Sequence, residues 1–477
     1  MYYCPALSNN RVAFNSAISP RNVFALSPEW YIPTPTPVKT CPIPYRDRLL
    51  FTDTAGNAYN VCQNGNPVWS KNISSPANTY ACPYNSASIN NPYISASAQT
   101  SFESTGVVYK NIWYQAGESL NTVCPCSGKL YALDPLTGTV IWFNAVSNTP
   151  VCASQCDLIA YNGLVYCGLS SAETGINSYN CAFCNEGRVA AIDAGTGARV
   201  WCSQDPASLP CMPQRPSSVV NSLAIDPATD TLYCATGNTT ANSCPNGSCA
   251  LLALDANTGG IKWTQQVADG DIRVPSPGCP VSELTSGPQL FTICLYNQLP
   301  HPVLGVGGRD GFYYCFDRAS GALVWSTKVS VSGNPGLGIN TTAAVCGNRV
   351  FACSNNGYTG NPAQSPCDYP LTVACLDAAT GEILWSNSSQ CAASISSGIY
   401  TYGCYLVGDL SGKLTAFNSD GSVLYSNNVS QNPITSDIAC AGNRCFFGTG
   451  DLNSNSTNDV ICLSVNNARA KRTGRIL

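Results

Sequence analysis

A signature of fourteen or fifteen residues recurs along this chain, and its recurrence limits the possible folds more than length or composition does. The clearest copy spans residues 128–142 (GKLYALDPLTGTVIW). Close copies span 187–201 (GRVAAIDAGTGARVW), 250–263 (ALLALDANTGGIKW), 311–325 (GFYYCFDRASGALVW) and 371–385 (LTVACLDAATGEILW). In each, an alternating apolar run leads to Asp, then a small-Thr/Ser-Gly turn, two or three aliphatics and a Trp. That pattern spells strand, tight turn, strand. Asp134, Asp193, Asp255, Asp317 and Asp377 are placed to accept backbone N–H groups two residues on, and the following Gly supplies the positive φ of the turn. The Trp is expected to lie against the next unit. Weaker copies are 412–425 (GKLTAFNSDGSVLY), with Tyr in place of Trp, and 56–69 (GNAYNVCQNGNPVW).

The anchors are therefore Trp69, Trp142, Trp201, Trp263, Trp325, Trp385 and Tyr425, expected as blade-docking residues. Most spacings are 59 to 62 residues, with 73 before Trp142 and 40 before Tyr425. Such a period holds about four strands with their loops. Upstream of each turn lies another strand, as at 164–168, 231–235, 303–307, 349–353, 405–408 and 444–448, so each unit reads as an inner strand, a middle strand and the signature hairpin. Residues 11–14 and 22–26 look like short strands, and 27–30 is a faint copy of the turn-plus-Trp ending. An eighth unit begins at Pro433, and its last copy, 473–477, stops one residue short of its Trp. Either that copy closes the unit or the amino-terminal strands do. We expect residues 1–47 to form an amino-terminal segment contributing a closing strand, and 48–477 the repeat domain.

Only 10% of residues are charged and the net charge is −4, which excludes a nucleic-acid footprint or a polybasic membrane patch. No run approaches the roughly 20 apolar residues of a spanning helix. Residues 1–5 have neither the basic start nor the apolar core of a signal peptide, as expected of a mature or partial sequence. The 28 cysteines point to an oxidising, extracellular setting with up to 14 disulfides. Cys181 with Cys184 and Cys244 with Cys249 are candidate pairs. Metal is not expected, because the Cys/His spacings of zinc sites are missing. Secretion would make the Asn-X-Ser/Thr sites at Asn72, Asn238, Asn246, Asn340, Asn387, Asn428 and Asn455 usable for N-glycans.

The repeat, Gly-x-Leu-x-Ala-Leu-Asp-x-x-Thr-Gly-x-x-x-Trp, resembles the tryptophan-docking repeat of the quinoprotein (pyrroloquinoline quinone dehydrogenase-like) β-propellers, from Arg48 onward. The resemblance implies an all-β fold: one propeller of eight four-stranded antiparallel blades, disulfide-rich, with seven blades as the alternative. It also implies either a dehydrogenase holding the quinone and Ca²⁺ in its channel, or a non-catalytic scaffold.

Enzyme hallmarks of that family are missing: the chain has no adjacent Cys pair, and Asn185 follows the Cys181–Cys184 spacing where covalent haem needs His. Asp269, Asp271, Arg309 and Asp310 lie in loops that can face the channel. Asp451, Asn453, Asn455 and Asp459 have part of a Ca²⁺-loop spacing but lack its Gly and Glu. His301 is the only histidine and has no nucleophile beside it. Arg469 to Arg472 resembles a dibasic processing site. On these grounds the expected function is a secreted structural or binding module, such as a subunit of an extracellular filament or surface coat, leaning away from catalysis. No cofactor is expected, and the partners would be proteins, including further copies joined through terminal strands. The alternative is an extracellular quinone-dependent alcohol or sugar dehydrogenase, which would need the quinone (PQQ) and Ca²⁺.

Overall fold

The computed structural model describes residues 7–73, 100–119, 128–145, 156–169, 188–203, 219, 221–237, 249–267, 283–294, 299–333, 336–361, 363–450, 458–465 and 471–472. These form eight antiparallel sheets arranged as an eight-bladed β-propeller. Blade 3 shows the pattern, running from the channel outward as Ile159–Tyr161, Leu164–Leu169, Arg188–Asp193 and Arg199–Cys202. The inner strands of blades 1 and 8, Ile43–Tyr45 and Ala439–Ala441, are neighbours, so the ring is closed. Because strands alternate in direction, the tight turns between strands 1 and 2 and between strands 3 and 4 share one face. The turns between strands 2 and 3 and the links between blades share the other, where the channel site lies.

The signature makes the outer hairpin of a blade and its contact with the blade before. Asp193 accepts the N–H groups of Gly195 and Thr196 at 3.1 and 2.8 Å and the Thr196 hydroxyl at 2.8 Å. Those bonds, the Thr196 hydroxyl foremost, hold its carboxyl below the usual range. Gly259 has a φ of 75°, and a Cβ there would come within 2.5 Å of Trp201 on the preceding blade. The indole thus stacks on bare backbone, which a side chain would deny it. Its N–H donates to the carbonyl of the residue after the turn Asp: Trp69 to Pro135 at 3.3 Å, Trp142 to Ala194 at 3.2 Å, Trp201 to Ala256 at 3.0 Å. The same rule joins Trp263 to Arg318 at 3.3 Å and Trp325 to Ala378 at 3.1 Å, and Trp385 to Ser419 at 2.9 Å, where Asn418 stands in place of the turn Asp. A middle-strand tyrosine often adds a second bond to the same carbonyl, as Tyr166 does to Ala256 at 3.1 Å. Tyr425 has no indole to donate and packs with Ile434, Ile438 and Leu26 instead.

Blade 8 takes its outer strand from the other end of the chain. Ser27–Thr34 pairs antiparallel with Asn458–Ser464, and Trp30 docks on Gly65 of blade 1 with its N–H on Gln63 O at 3.0 Å. Lys471–Arg472, within the dibasic stretch, lies parallel to that strand at the blade's edge. Residues 473–477 lie outside the described residues. The short strands expected at 11–14 and 22–26 do not form. Val12 makes a single parallel bridge to Tyr400, and Val23–Ala25 is a 3₁₀ turn set by the Asn22 side chain accepting Ser19 N–H at 2.8 Å.

The disulfide framework expected from 28 cysteines is a correction. No disulfide joins any two of the described cysteines. Many sit on middle and third strands inside the interblade cores, where Cys167, Cys234 and Cys353 form no disulfide and burial pushes each thiol up to about 12. They act as small apolar side chains there. The Cys181–Cys184 pair and Cys244 lie outside the described residues. No described helix is long and apolar enough to cross a membrane.

Candidate active site in the central channel

Each inner strand is preceded, two positions back, by a residue at the channel mouth. Around the ring these are Cys41, Thr105, Asp157, Ser222, Gly287, Thr342, Ser397 and Asp437. Where the type allows, the side chain fastens one blade to the one before it. Cys41 N–H donates to Thr105 Oγ1 at 3.0 Å, Thr105 N–H to Asp157 Oδ1 at 2.8 Å, Thr342 N–H to Ser397 Oγ at 3.0 Å and Ser397 N–H to Asp437 Oδ1 at 2.6 Å. Ser222 Oγ completes the series by donating to Asp157 Oδ2 at 2.8 Å.

Six of these residues surround a cavity of about 280 Å³ on the channel axis, joined by Asn221, Asn340, Thr435, Ile395 and the Lys39–Glu103 ion pair of 2.7 Å. Among the described lining residues Ile395 is the one apolar side chain. Asp157 and Asp437 are its chemical centre. Burial first, and then the charge of Asp437, raise the Asp157 carboxyl above the usual range. Asp437 instead meets a cation, with Arg11 Nη1 2.6 Å from its Oδ2. The site therefore offers one carboxyl with a weakened hold on its charge, a second paired with a guanidinium, and hydroxyl and amide groups that bind by hydrogen bonds.

The residues singled out from sequence are not this site. Asp310 is buried, accepts Phe312 N–H at 3.0 Å and receives the Tyr314 hydroxyl, so it is consumed in a turn. Arg309 pairs with Glu283 at 2.7 Å. His301 Nε2 is 2.7 Å from Asp317 Oδ2, in a signature turn on the opposite face. Asp459 is a buried strand residue opposite Pro33 in blade 8. Asp269, Asp271, Asp451, Asn453 and Asn455 lie outside the described residues, as do the acceptors Asn238 and Asn246. Asp157, Asp437 and Arg11 were missed. The signal for the first two is positional, the second residue before each inner strand, and it escapes a search for repeated residue types because the types vary.

The family model described as outer membrane protein assembly factor BamB matches residues 104–290 and 250–471. Polyvinylalcohol dehydrogenase of Sphingopyxis sp. is 24% identical over 364 residues, covering 67% of this chain and 53% of its own. Quinohemoprotein alcohol dehydrogenase ADH IIB of Pseudomonas putida is 27% identical over 235 residues, covering 42% of this chain and 31% of its own. This chain thus spans about half the length, or less, of these curated relatives. In fold, the quinohemoprotein alcohol dehydrogenase of Comamonas testosteroni superposes with a TM-score of 0.72 at 16% identity, covering 99% of this chain and 81% of that one.

These relatives correct the expectation of a structural module, filament subunit or coat, together with that of no cofactor, since they are named as dehydrogenases and quinohemoproteins. The sequence test looked for adjacent cysteines and a haem pair, whereas the channel aspartates stand without either. The filament idea also needed a free closing strand, and Ser27–Thr34 is already paired within its own blade 8. The glycoprotein expectation falls with it. Asn340 lines the channel and accepts Asn355 Nδ2 at 2.8 Å, where a glycan has no room. Asn72, Asn387 and Asn428 lie on outer strands. With the match extending over most of its length, the chain belongs to the quinoprotein-like β-propeller family, under the family model described as outer membrane protein assembly factor BamB.

Proposed function

We propose that this chain is a quinone-dependent dehydrogenase of hydroxyl compounds, with its active site in the channel cavity. The observation that carries the reading is Asp157, a carboxyl of raised pKa facing a polar cavity on the ring axis. The similarity to alcohol and polyvinylalcohol dehydrogenases supports it. A cavity whose described lining has one apolar side chain suits a polyol or a hydroxyl-bearing polymer better than an alkyl alcohol. The outer-membrane description of the family model supports work outside the cytosol.

The lining fits the polar edge of pyrroloquinoline quinone: Lys39 would hold a carboxylate, and Asn221, Asn340 and Thr342 have donors for carbonyl or carboxylate oxygens. None of the described lining side chains is aromatic, so stacking is not among their contributions. Among the described residues no three His, Cys, Asp or Glu side chains gather closely enough to hold a metal ion, and no step is derived through one.

When bound, the quinone would supply the two-electron acceptor. The protein's own task is the proton. Asp157, ionised, accepts the substrate hydroxyl proton at a carboxylate oxygen, and its raised pKa makes it a stronger base than an ordinary aspartate. Thr105 N–H and Ser222 Oγ fix the carboxylate plane, so the base is aimed before substrate arrives. Asp437 is already engaged by Arg11 at 2.6 Å, which leaves Asp157, among the described residues, as the cavity aspartate without a cationic partner in hydrogen-bond contact. Purified protein incubated with pyrroloquinoline quinone, with and without Ca²⁺, should reduce an electron-accepting dye with polyols or polyvinyl alcohol. Dye reduction no faster than in protein-free controls would overturn the proposal.

A further inference from the structure

The channel is crossed by a segment that belongs to no repeat. Residues 7–17 run around the inside of the ring and bond to the free edges of five inner strands. The carbonyls of Leu7, Ser8, Asn10, Arg11 and Asn15 accept N–H groups from Ile225, Leu290, Val345, Tyr400 and Gly442 at 2.7, 2.9, 2.9, 3.0 and 2.8 Å. These partners belong to blades 4 to 8 in order. For blades 4, 5, 6 and 7 the partner lies three residues beyond the channel-mouth position, about 10 Å along a strand. The belt therefore lies beneath the cavity. Edge capping alone accounts for its backbone bonds. It does not account for Arg11.

Arg11 has a φ of 51°, a left-handed conformation that costs a non-glycine residue about 1–2 kcal/mol. It is 4% exposed, and its guanidinium points toward the seam of blades 7 and 8. Nε donates to Gly398 O at 3.2 Å, Nη2 to Ser397 O at 3.0 Å and Ile438 O at 3.4 Å, and Nη1 to Asp437 Oδ2 at 2.6 Å. Asn or Gly would hold the turn with less strain, but neither brings a charge to Asp437.

We infer that Arg11, delivered by the amino-terminal belt, is a positioning residue of the channel site: its guanidinium holds the Asp437 carboxyl group in place and sets a cation beside it, leaving Asp157 as the carboxyl that exchanges a proton with substrate. This rests on the proposed dehydrogenase reading for its purpose, but the charge arrangement is testable without it. Removing the guanidinium leaves Asp437 without its arginine, and the charge of Asp437 that already raises Asp157 then acts on it without that compensation. The other charged groups in the described lining are the Lys39–Glu103 pair at the cavity wall. Tyr405 stands behind Arg11, and burial keeps its hydroxyl protonated.

The experiment is an infrared titration of the protonated-carboxyl band in the full chain, without quinone or substrate, for wild type, Arg11→Met, Arg11→Lys and Asp437→Asn. In wild type the band that persists to highest pH should vanish on Asp157→Asn substitution. Arg11→Met should move its midpoint up by about one unit or more, and Arg11→Lys should restore it. Asp437→Asn, which keeps the arginine and removes the repelling charge, should move the midpoint down. An Arg11→Met protein that melts cooperatively yet titrates as wild type overturns the inference, as does an Arg11→Lys protein that titrates like Arg11→Met. Should Arg11→Met not fold, an unmoved midpoint in Asp437→Asn overturns it alone. A silent dye assay would count against the proposed function and leave this titration unaffected.

Discussion

The carbonyl of Ala256 offers a quantitative test of how the blades are held together. It accepts Trp201 Nε1 at 3.0 Å and the Tyr166 hydroxyl at 3.1 Å, and Ala256 is fully buried. Trp201→Phe keeps most of the apolar contact with Gly259 but removes one donor, and Tyr166→Phe removes only the other. Each single change leaves the carbonyl one partner, so each bond lost costs about 0.5–1.5 kcal/mol. The double variant leaves a buried carbonyl with neither donor, adding a desolvation penalty of about 1–3 kcal/mol that neither single variant incurs. Urea unfolding of the four proteins, followed by far-ultraviolet circular dichroism, should therefore show the double variant less stable than the sum of the singles by about 1 kcal/mol or more. Trp201→Ala, which also opens a cavity, should cost about 3–5 kcal/mol. Additivity of the two phenylalanine variants within about 0.3–0.5 kcal/mol would refute the shared-acceptor account.

Asp157→Asn can keep Thr105 N–H and Ser222 Oγ as partners while losing the base, so dye-linked turnover should fall by about 10²-fold or more. Because the folded-state pKa of Asp157 is raised, ionising it costs stability as pH climbs from the ordinary carboxylate value through the folded one. The neutral variant should thus melt no lower than wild type at pH 8, and a lower melting temperature or turnover within a few-fold of wild type would contradict its assigned role. Deleting residues 1–17 removes the belt but keeps Ser27–Thr34, and should leave a cooperatively melting monomer. Deleting 1–34 removes Trp30 and the outer strand of blade 8, and should yield aggregate by light scattering; a stable monomer would show that closure lies elsewhere.

The architecture was legible because its contacts are local and repeated. Asp, Gly and Trp stand at constant offsets in the signature, and each performs the same act in successive blades: the Asp closes the turn, the Gly bares the backbone, and the indole reaches the next carbonyl. The cysteines misled because burial in strand cores and oxidation to disulfides leave the same count in a composition. The channel residues share a position rather than an identity. Thr105, Asp157, Ser222 and Asp437 look unrelated until the inner strands are aligned, and those strands are as short as three residues with little pattern of their own. Arg11 left even less trace, being fixed by contacts with residues about 390 to 430 positions away.

That separation ties the site to the closing of the ring. The same amino-terminal stretch carries Arg11 beneath the cavity and, sixteen residues later, begins the outer strand of blade 8 at Ser27. The belt binds the edges of blades 4 to 8, so its full set of partners exists only once those blades stand in order. Long-range pairings of this kind carry the largest loop-closure cost and form after local hairpins have reduced the freedom of the chain. Asp437 comes from the last blade and Asp157 from the third, and Arg11 reaches Asp437 only after both ends have met. An unclosed propeller therefore has its hairpins and docked tryptophans but not its paired carboxylate. The arginine pairing that sets Asp437 apart from Asp157 is itself a product of closure.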